Sequence, residues 1–383
     1  MAPTRRRSEP KLTVESAPAY EFILTLVNVA EVDNQASLEL GTEWIDATRQ
    51  RAGAALLAQL DDLSRGSGDQ FLHLLPIAYE APAPRSVDDF LGHLAEVDAT
   101  DIVLRLIGYY EPYFRRMIAP ETIRAAVEGD RGAAQKVIAA ASEHHSWQDL
   151  LTKLLGQDPE TTKTALLRML RDWKVRVWQF QEATLVPILE RDADAKRSMI
   201  DDLPLERFVE LATNGVEYSA HGQIDRLVLV PTYVNRPWVS HVEFAGLMLM
   251  TYPVADESTT TDREAPPLKL VRLAKALGDE RRLRILRSLA EKPQSLADLA
   301  KEFDLPKTTM HHHMVALRSA GLVSVRAMHK DYRLREDALP SLTQLLSGYL
   351  ATPGVSDAPV APRPVRRVAS PGRPRSTKTT TRR

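Results

Sequence analysis

The chain has 383 residues, 44% hydrophobic and 26% charged, proportions of a soluble globular protein of two or three domains and not of a wholly disordered chain. It contains no cysteine, which excludes disulfides, thiolate metal sites and a cysteine nucleophile, and no apolar run reaches the ~20 residues of a membrane-spanning helix. The net charge of −1 conceals an asymmetry: residues 12–266 carry 23 basic and 40 acidic groups, residues 267–350 carry 15 and 9, and residues 351–383 carry 8 and 1. An acidic body joined to a basic C-terminal third predicts a polyanionic partner for that end alone.

Residues 1–10 are polar and read as disordered; MAPTRRRSEPKL has no apolar stretch behind its charges and is no secretory signal. The body, 11–254, reads as mainly helical. Lys11–Glu15 is a short strand, and Tyr20–Val32 carries Phe22, Ile23, Leu26, Val29 and Ala30 on a helical stripe. Further helices fit Trp44–Leu60, Val87–Glu96, Thr100–Gly108, Glu121–Glu128, Arg131–Glu143, Trp147–Leu155, Pro159–Arg191 and Leu205–Leu211, with Ser146 and Asp149 as a capping box. Tyr109, Tyr110, Tyr113, Trp173 and Trp178 read as core or helix-helix seam. The period then changes. Arg226–Val234 and Gly246–Val254 are β-rich and predict a small hairpin, with Pro231 placing the first of them at a sheet edge.

Residues 255–267, polar, acidic and ending in Pro-Pro, read as a linker. The segment 268–350 follows with a sharper pattern. LKLVRLAKAL is one amphipathic helix ended by Gly278. Asp279 caps a second, with Leu283, Leu286 and Ala290 on one face. Ser295 and Asp298 form a capping box for a short third helix, and Pro306 opens a fourth that runs to about Ser319. Gly321 supplies a left-handed stop. Leu322–Arg326 and Tyr332–Leu334 are β-prone, and Pro340–Leu350 is a last helix. Helix, tight turn, helix and hairpin predict a winged helix-turn-helix. The fold class expected is therefore mainly α: a helical N-terminal domain with a small β-hairpin, a C-terminal winged helix-turn-helix, and a disordered basic tail over 351–383.

On a helical wheel Met310, His313, Met314 and Leu317 face inward. Thr308, His312, Val315 and Ser319 face outward, flanked by Lys307, His311 and Arg318. An N-terminal turn set in a major groove brings Lys307, Thr308, His311 and His312 nearest the bases. The candidate DNA-binding residues are Lys307, Thr308, Thr309, His311, His312, Arg318, Ser295, Arg326, Lys330 and Arg333, with Arg373 and Arg375 in the tail. Consecutive histidines 311–313 point ~100° apart and cannot converge on one ion, so no metal and no cofactor is expected.

LGDERRLRIL at 277–286 and LPKTTMHHHMVALRSAGLV at 305–323 resemble the two signature stretches of the ArsR-type winged-helix regulators. His312, His313, Leu317, Arg318, Ala320, Gly321 and Leu322 stand where that pattern has them. Pro306 and Lys307 replace its usual small polar residues, and the wing AMHKD lacks its usual glycine. VESAPAYEFILTLVNVAE and LVLVPTYV with a nearby Pro-Trp resemble the long N-terminal region of some actinobacterial members. Pro371–Arg375 resembles an AT-hook core. The resemblance implies a homodimeric, double-stranded-DNA-binding regulator, a repressor released by an effector.

No P-loop, GxGxxG, HExxH or GxSxG occurs, so no enzyme is expected. The reading is a cytoplasmic, nucleoid-associated regulator of the ArsR type that binds an operator sequence-specifically. A small molecule or a protein partner acts on its N-terminal domain, and it has no membrane association. The alternative is an architectural, nucleoid-type DNA-binding protein dominated by its basic tail. A strong preference for one site separates the two.

Overall fold

The computed structural model describes residues 9–31, 35–141, 145–218, 224–259, 266–326, 331–335 and 338–351. Most of both expected disordered ends, the middle of the expected linker and the wing tip, residues 327–330, fall outside these residues. The chain is mainly α-helical. No helix among the described residues is long and apolar enough to cross a membrane.

The helix Pro18–Ala30 threads the centre of the body. Every residue from Ala19 to Ala30 is buried, as befits a helix apolar on nearly all sides. Its three buried polar side chains, one turn apart, are all engaged. Glu21 Oε1 accepts the N–H groups of Tyr233 and Val234 at 2.9 and 2.8 Å. Thr25 Oγ1 accepts the Trp173 indole N–H at 2.9 Å. Asn28 Nδ2 donates to the Val234 carbonyl at 2.9 Å. The central helix thus grips the segment that follows Thr232.

Around it the helices differ from expectation at identifiable points. The stretch Trp44–Leu60 is two helices, Gly41–Ala52 and Ala54–Ser64, because Gly53 takes a φ of +77° that no helix tolerates. Pro159–Arg191 is likewise split into Pro159–Arg176 and Glu182–Arg197. The chain turns between them through a 3-10 segment that buries Val177 and Trp178. The 3-10 turn Asp69–Leu74, the helix Leu75–Glu80 and the helix Pro112–Met117 carry no strong period and were not expected. Trp173 and Trp178 lie in the core, whereas Tyr113 is 57% exposed.

Among the described residues eight strands form two sheets: β1 Lys11–Val14, β2 Val216–Glu217, β3 Arg226–Thr232, β4 His241–Phe244, β5 Leu247–Pro253, β6 Gln294–Ser295, β7 Val323–Arg326 and β8 Asp331–Leu334. The body sheet runs β1-β3-β5-β4. The two strands expected to form a hairpin, β3 and β5, pair in parallel instead. The hairpin is β4–β5, since β4 follows the turn after Thr232 and reverses direction before β5. Pro231 does not sit on an edge strand, for β3 lies between β1 and β5. Its pairing with β1 ends at Leu229, however, so the missing N–H of Pro231 costs no ladder bond there.

The second sheet, β2-β7-β8-β6, joins the two halves of the chain: β2 comes from the body and pairs in parallel with β7, the first strand of the wing. The winged-helix core gathers Leu273, Ile285, Leu286, Leu289, Leu299, Met310, Met314, Leu317 and Leu322. On the helix Glu280–Glu291 the buried face is Ile285, Leu286 and Leu289. Leu283 and Ala290, placed inward by the sequence, are exposed. Within the expected linker, residues 256–259 form a short helix.

Candidate nucleic-acid interface

The recognition helix, Lys307–Ser319, starts from a turn in which Asp304 adopts φ +49° and Leu305 N–H bonds to the Ala300 carbonyl at 2.9 Å. Pro306 stands at its N-cap. Met310, Met314 and Leu317 are buried and set its rotation, which leaves Lys307, Thr308 and His312 exposed and Thr309 half-buried. Ser295 caps the preceding helix, its Oγ accepting the Asp298 N–H at 3.2 Å. Arg333 lies half-buried on β8 opposite Ser324. Arg326 ends β7 opposite Glu217; its side chain, and Lys330, Arg373 and Arg375, lie outside the described residues.

His311 and Arg318 are placed otherwise. Separated by two turns, they share one stripe of the helix, and that stripe is covered by the body. The Trp238 indole stacks on the His311 imidazole, centroids 5.5 Å apart and planes within 9°. The Arg318 guanidinium lies 5.5 Å from the same indole, within cation–π range. Burial first, then the neighbouring His312 and Arg318, hold the His311 imidazole below its usual pKa, which favours its neutral form in the stack. Burial also lowers Arg318 from its ordinary value. Trp238 is itself fixed by an indole hydrogen bond to Ser37 Oγ at 2.9 Å.

Two further attachments flank this stack. At the C-terminal end of the recognition helix, Gly321 (φ +69°) leaves room for Asn214 of the body. A Cβ on Gly321 would fall 2.7 Å from Asn214 Oδ1. Asn214 Nδ2 donates to the Arg318 carbonyl at 3.3 Å, and Arg335 donates to Asn214 Oδ1 at 3.3 Å. Val325 N–H bonds to the Gly215 carbonyl at 2.9 Å, and Ser324 Oγ donates to Glu217 at 2.9 Å. On the other side, Arg272 of the first winged-helix helix meets Glu39 at 2.5 Å and Asp256 at 2.9 Å. Arg236, almost wholly buried, pairs with the same two carboxylates. Burial raises the Glu39 carboxyl above its ordinary value despite both arginines.

Trp238, Asn214, Arg236 and Arg272 were not singled out from the sequence. Pro237-Trp238 entered the sequence reading only as the Pro-Trp near LVLVPTYV in the resemblance of the N-terminal region. A tryptophan in so polar a turn was the available signal.

Comparison with known proteins agrees with this geometry. The helix-turn-helix domain family matches residues 277–326. The transcriptional activator HlyU of Vibrio cholerae is 32% identical over 87 residues, which are 22% of this chain and 81% of that protein. No solved structure matches. A helix-turn-helix whose second helix exposes Lys307, Thr308 and His312, within a stretch that spans most of a known transcription regulator, places this chain in the family of helix-turn-helix transcription regulators.

Proposed function

We propose that the protein is a sequence-specific, effector-responsive DNA-binding regulator whose recognition helix is held shut by its own N-terminal body. The observation that carries this reading is the covering of His311 and Arg318 by Trp238. A helix with its side chains is about 10–12 Å across, and a B-DNA major groove is about 12 Å wide. The groove admits a bare helix and leaves no room for an indole and its loop on one flank. DNA binding therefore requires Trp238 to leave. The acidic body then acts as a competitor for the basic domain, in the place phosphates would take.

In this reading Lys307, Thr308 and His312 approach the base edges first. His311, Arg318, Thr309 and Ser295 engage on release, and Arg326, Lys330 and Arg333 reach the flanking backbone. The 351–383 tail, with Arg373 and Arg375, adds nonspecific hold. Leu346, Tyr349 and Leu350 leave an apolar stripe exposed on the last helix, which supports a homodimer. The ArsR-type assignment and the repressor sign follow from the resemblance of 277–286 and 305–323. The name of the Vibrio relative favours the opposite sign, and a promoter-reporter assay with and without the protein decides. The reading is of a cytoplasmic regulator with no catalytic activity.

The test is selection of bound sites from a random DNA pool by the full chain, followed by Thr308→Ala and His312→Ala on the selected site. Each substitution should cost about 1–3 kcal/mol on that site and little on random DNA. Equal losses on both, or a pool without enrichment, contradict base reading and favour the architectural alternative.

A further inference from the structure

The helical body contains a cavity of about 580 Å³ between the 3-10 turn Asp69–Leu74, the end of the helix Ala99–Leu106 and the helix His145–Leu155. That is the size of a small-molecule site. One wall is apolar: Ile107, Leu150 and the edge-to-face pair Phe114 and Trp147, centroids 4.8 Å apart. The polar end holds Glu111, whose Oε1 lies 4.0 Å from His73 Nδ1.

The charge of this cavity has one sign. Burial drives the His73 imidazole down to about 4, so it is neutral at physiological pH. Burial, with the Glu243 carboxylate nearby, pushes Glu111 up to about 7. The described lining residues include no lysine or arginine; their ionisable acids are Glu111 and Asp69. A carboxylate or phosphate entering here would meet like charge and no counter-ion. A cation beside Glu111 would relieve the cost of ionising it. Gln70, on the same wall and buried, has a side-chain oxygen without a hydrogen-bond partner.

We infer that this cavity binds a small organic amine, its ammonium group on Glu111 and its apolar or aromatic body against Phe114 and Trp147. The inference rests on the effector-responsive reading above and names the chemical class of the effector. The site is also placed to act on the recognition helix. Glu111 Oε1 accepts the Glu243 N–H at 3.4 Å, and Glu243 belongs to β4, the strand that follows Trp238. Asp69 lines both this cavity and a smaller one, about 200 Å³, that contains Trp238 and His311. An ammonium that takes over Glu111 competes with the N–H that anchors β4.

The experiment titrates the full chain with tryptamine, phenethylamine and cyclohexylmethylamine. Indole-3-propionate and 3-phenylpropionate serve as anions of matched shape. Binding is followed by calorimetry and ligand-observed NMR, without DNA. The amines should bind at least tenfold more tightly than the acids. Glu111→Gln should remove about tenfold of amine affinity. Tyr113→Arg, at an exposed position on the cavity rim where folding is not at stake, should reverse the preference toward the acids. Acids binding as well as amines, affinities indifferent to both substitutions, or no amine binding overturn the inference. DNA affinity is measured on the same samples with and without amine. A chain that binds its selected site yet ignores every amine loses the inference and keeps the regulatory reading. A chain that binds amines but no DNA does the reverse. Amine binding without a threefold or larger change in DNA affinity overturns the effector role.

Discussion

The indole of Trp238 and the imidazole of His311 lie face to face, 5.5 Å between centroids and 9° from parallel, one from the turn before β4 and the other from the recognition helix. The stack fixes the helix that should read DNA against the body, which carries the chain's acidic excess. Its neighbours explain why it holds. Glu21 and Asn28 of the central helix pin the Tyr233–Val234 backbone, Ser37 pins the indole, and β2 extends the wing sheet.

Stability and DNA reading should separate within the recognition helix. Met310 is fully buried among Ile285, Leu289 and Leu299. Met310→Ala should cost about 2–5 kcal/mol by leaving a cavity. Denaturant unfolding measures that loss, and a change well under 1 kcal/mol would mean the helix is not seated on this core.

The pin at Glu21 should be visible in pH. Burial raises its carboxyl to about 7 although two backbone N–H groups hold the charged form. The folded chain therefore keeps the proton that the unfolded chain releases near 4.5. The stability this contributes is full below pH 4.5 and is lost as pH rises toward 7. Glu21→Gln cannot titrate. The melting temperature of the native chain minus that of the variant should thus fall between pH 5 and pH 8. A constant gap would show that Glu21 titrates alike in both states.

Metal should be irrelevant to DNA binding. His311 is committed to Trp238, His312 faces solvent, and successive helix residues diverge by ~100°. Affinity for the selected site, measured in chelator and in excess zinc, should agree within twofold. A tenfold shift in either would demand a ligand set these histidines do not make.

Much of the winged helix was legible because its signals are local. Asp279 and Ser295 cap where expected, Gly321 takes its left-handed φ, and Met310, Met314 and Leu317 pack inward. The body was less legible where long-range pairing decides. β3 and β5 carry the β-prone composition of a hairpin, yet their order and direction depend on β1 and on β4, too weakly patterned to announce itself. The exposure of Thr308 and His312 was readable from the wheel. The covering of His311 and Arg318 was not, because a helical wheel contains one element, and Trp238 arrives from 73 residues away in the chain.

The most direct measurement is the affinity of the full chain for its selected DNA site with Trp238 replaced by alanine. Stacking and cation–π contact at a half-buried site are each worth about 0.5–1 kcal/mol. Together they amount to about 1–2 kcal/mol, so Trp238→Ala should raise affinity about five- to thirtyfold, and Trp238→Phe should fall between the native chain and Trp238→Ala. A folded Trp238→Ala chain that binds this site no more tightly than the native chain, or more weakly, would contradict the claim that the body holds the recognition helix shut.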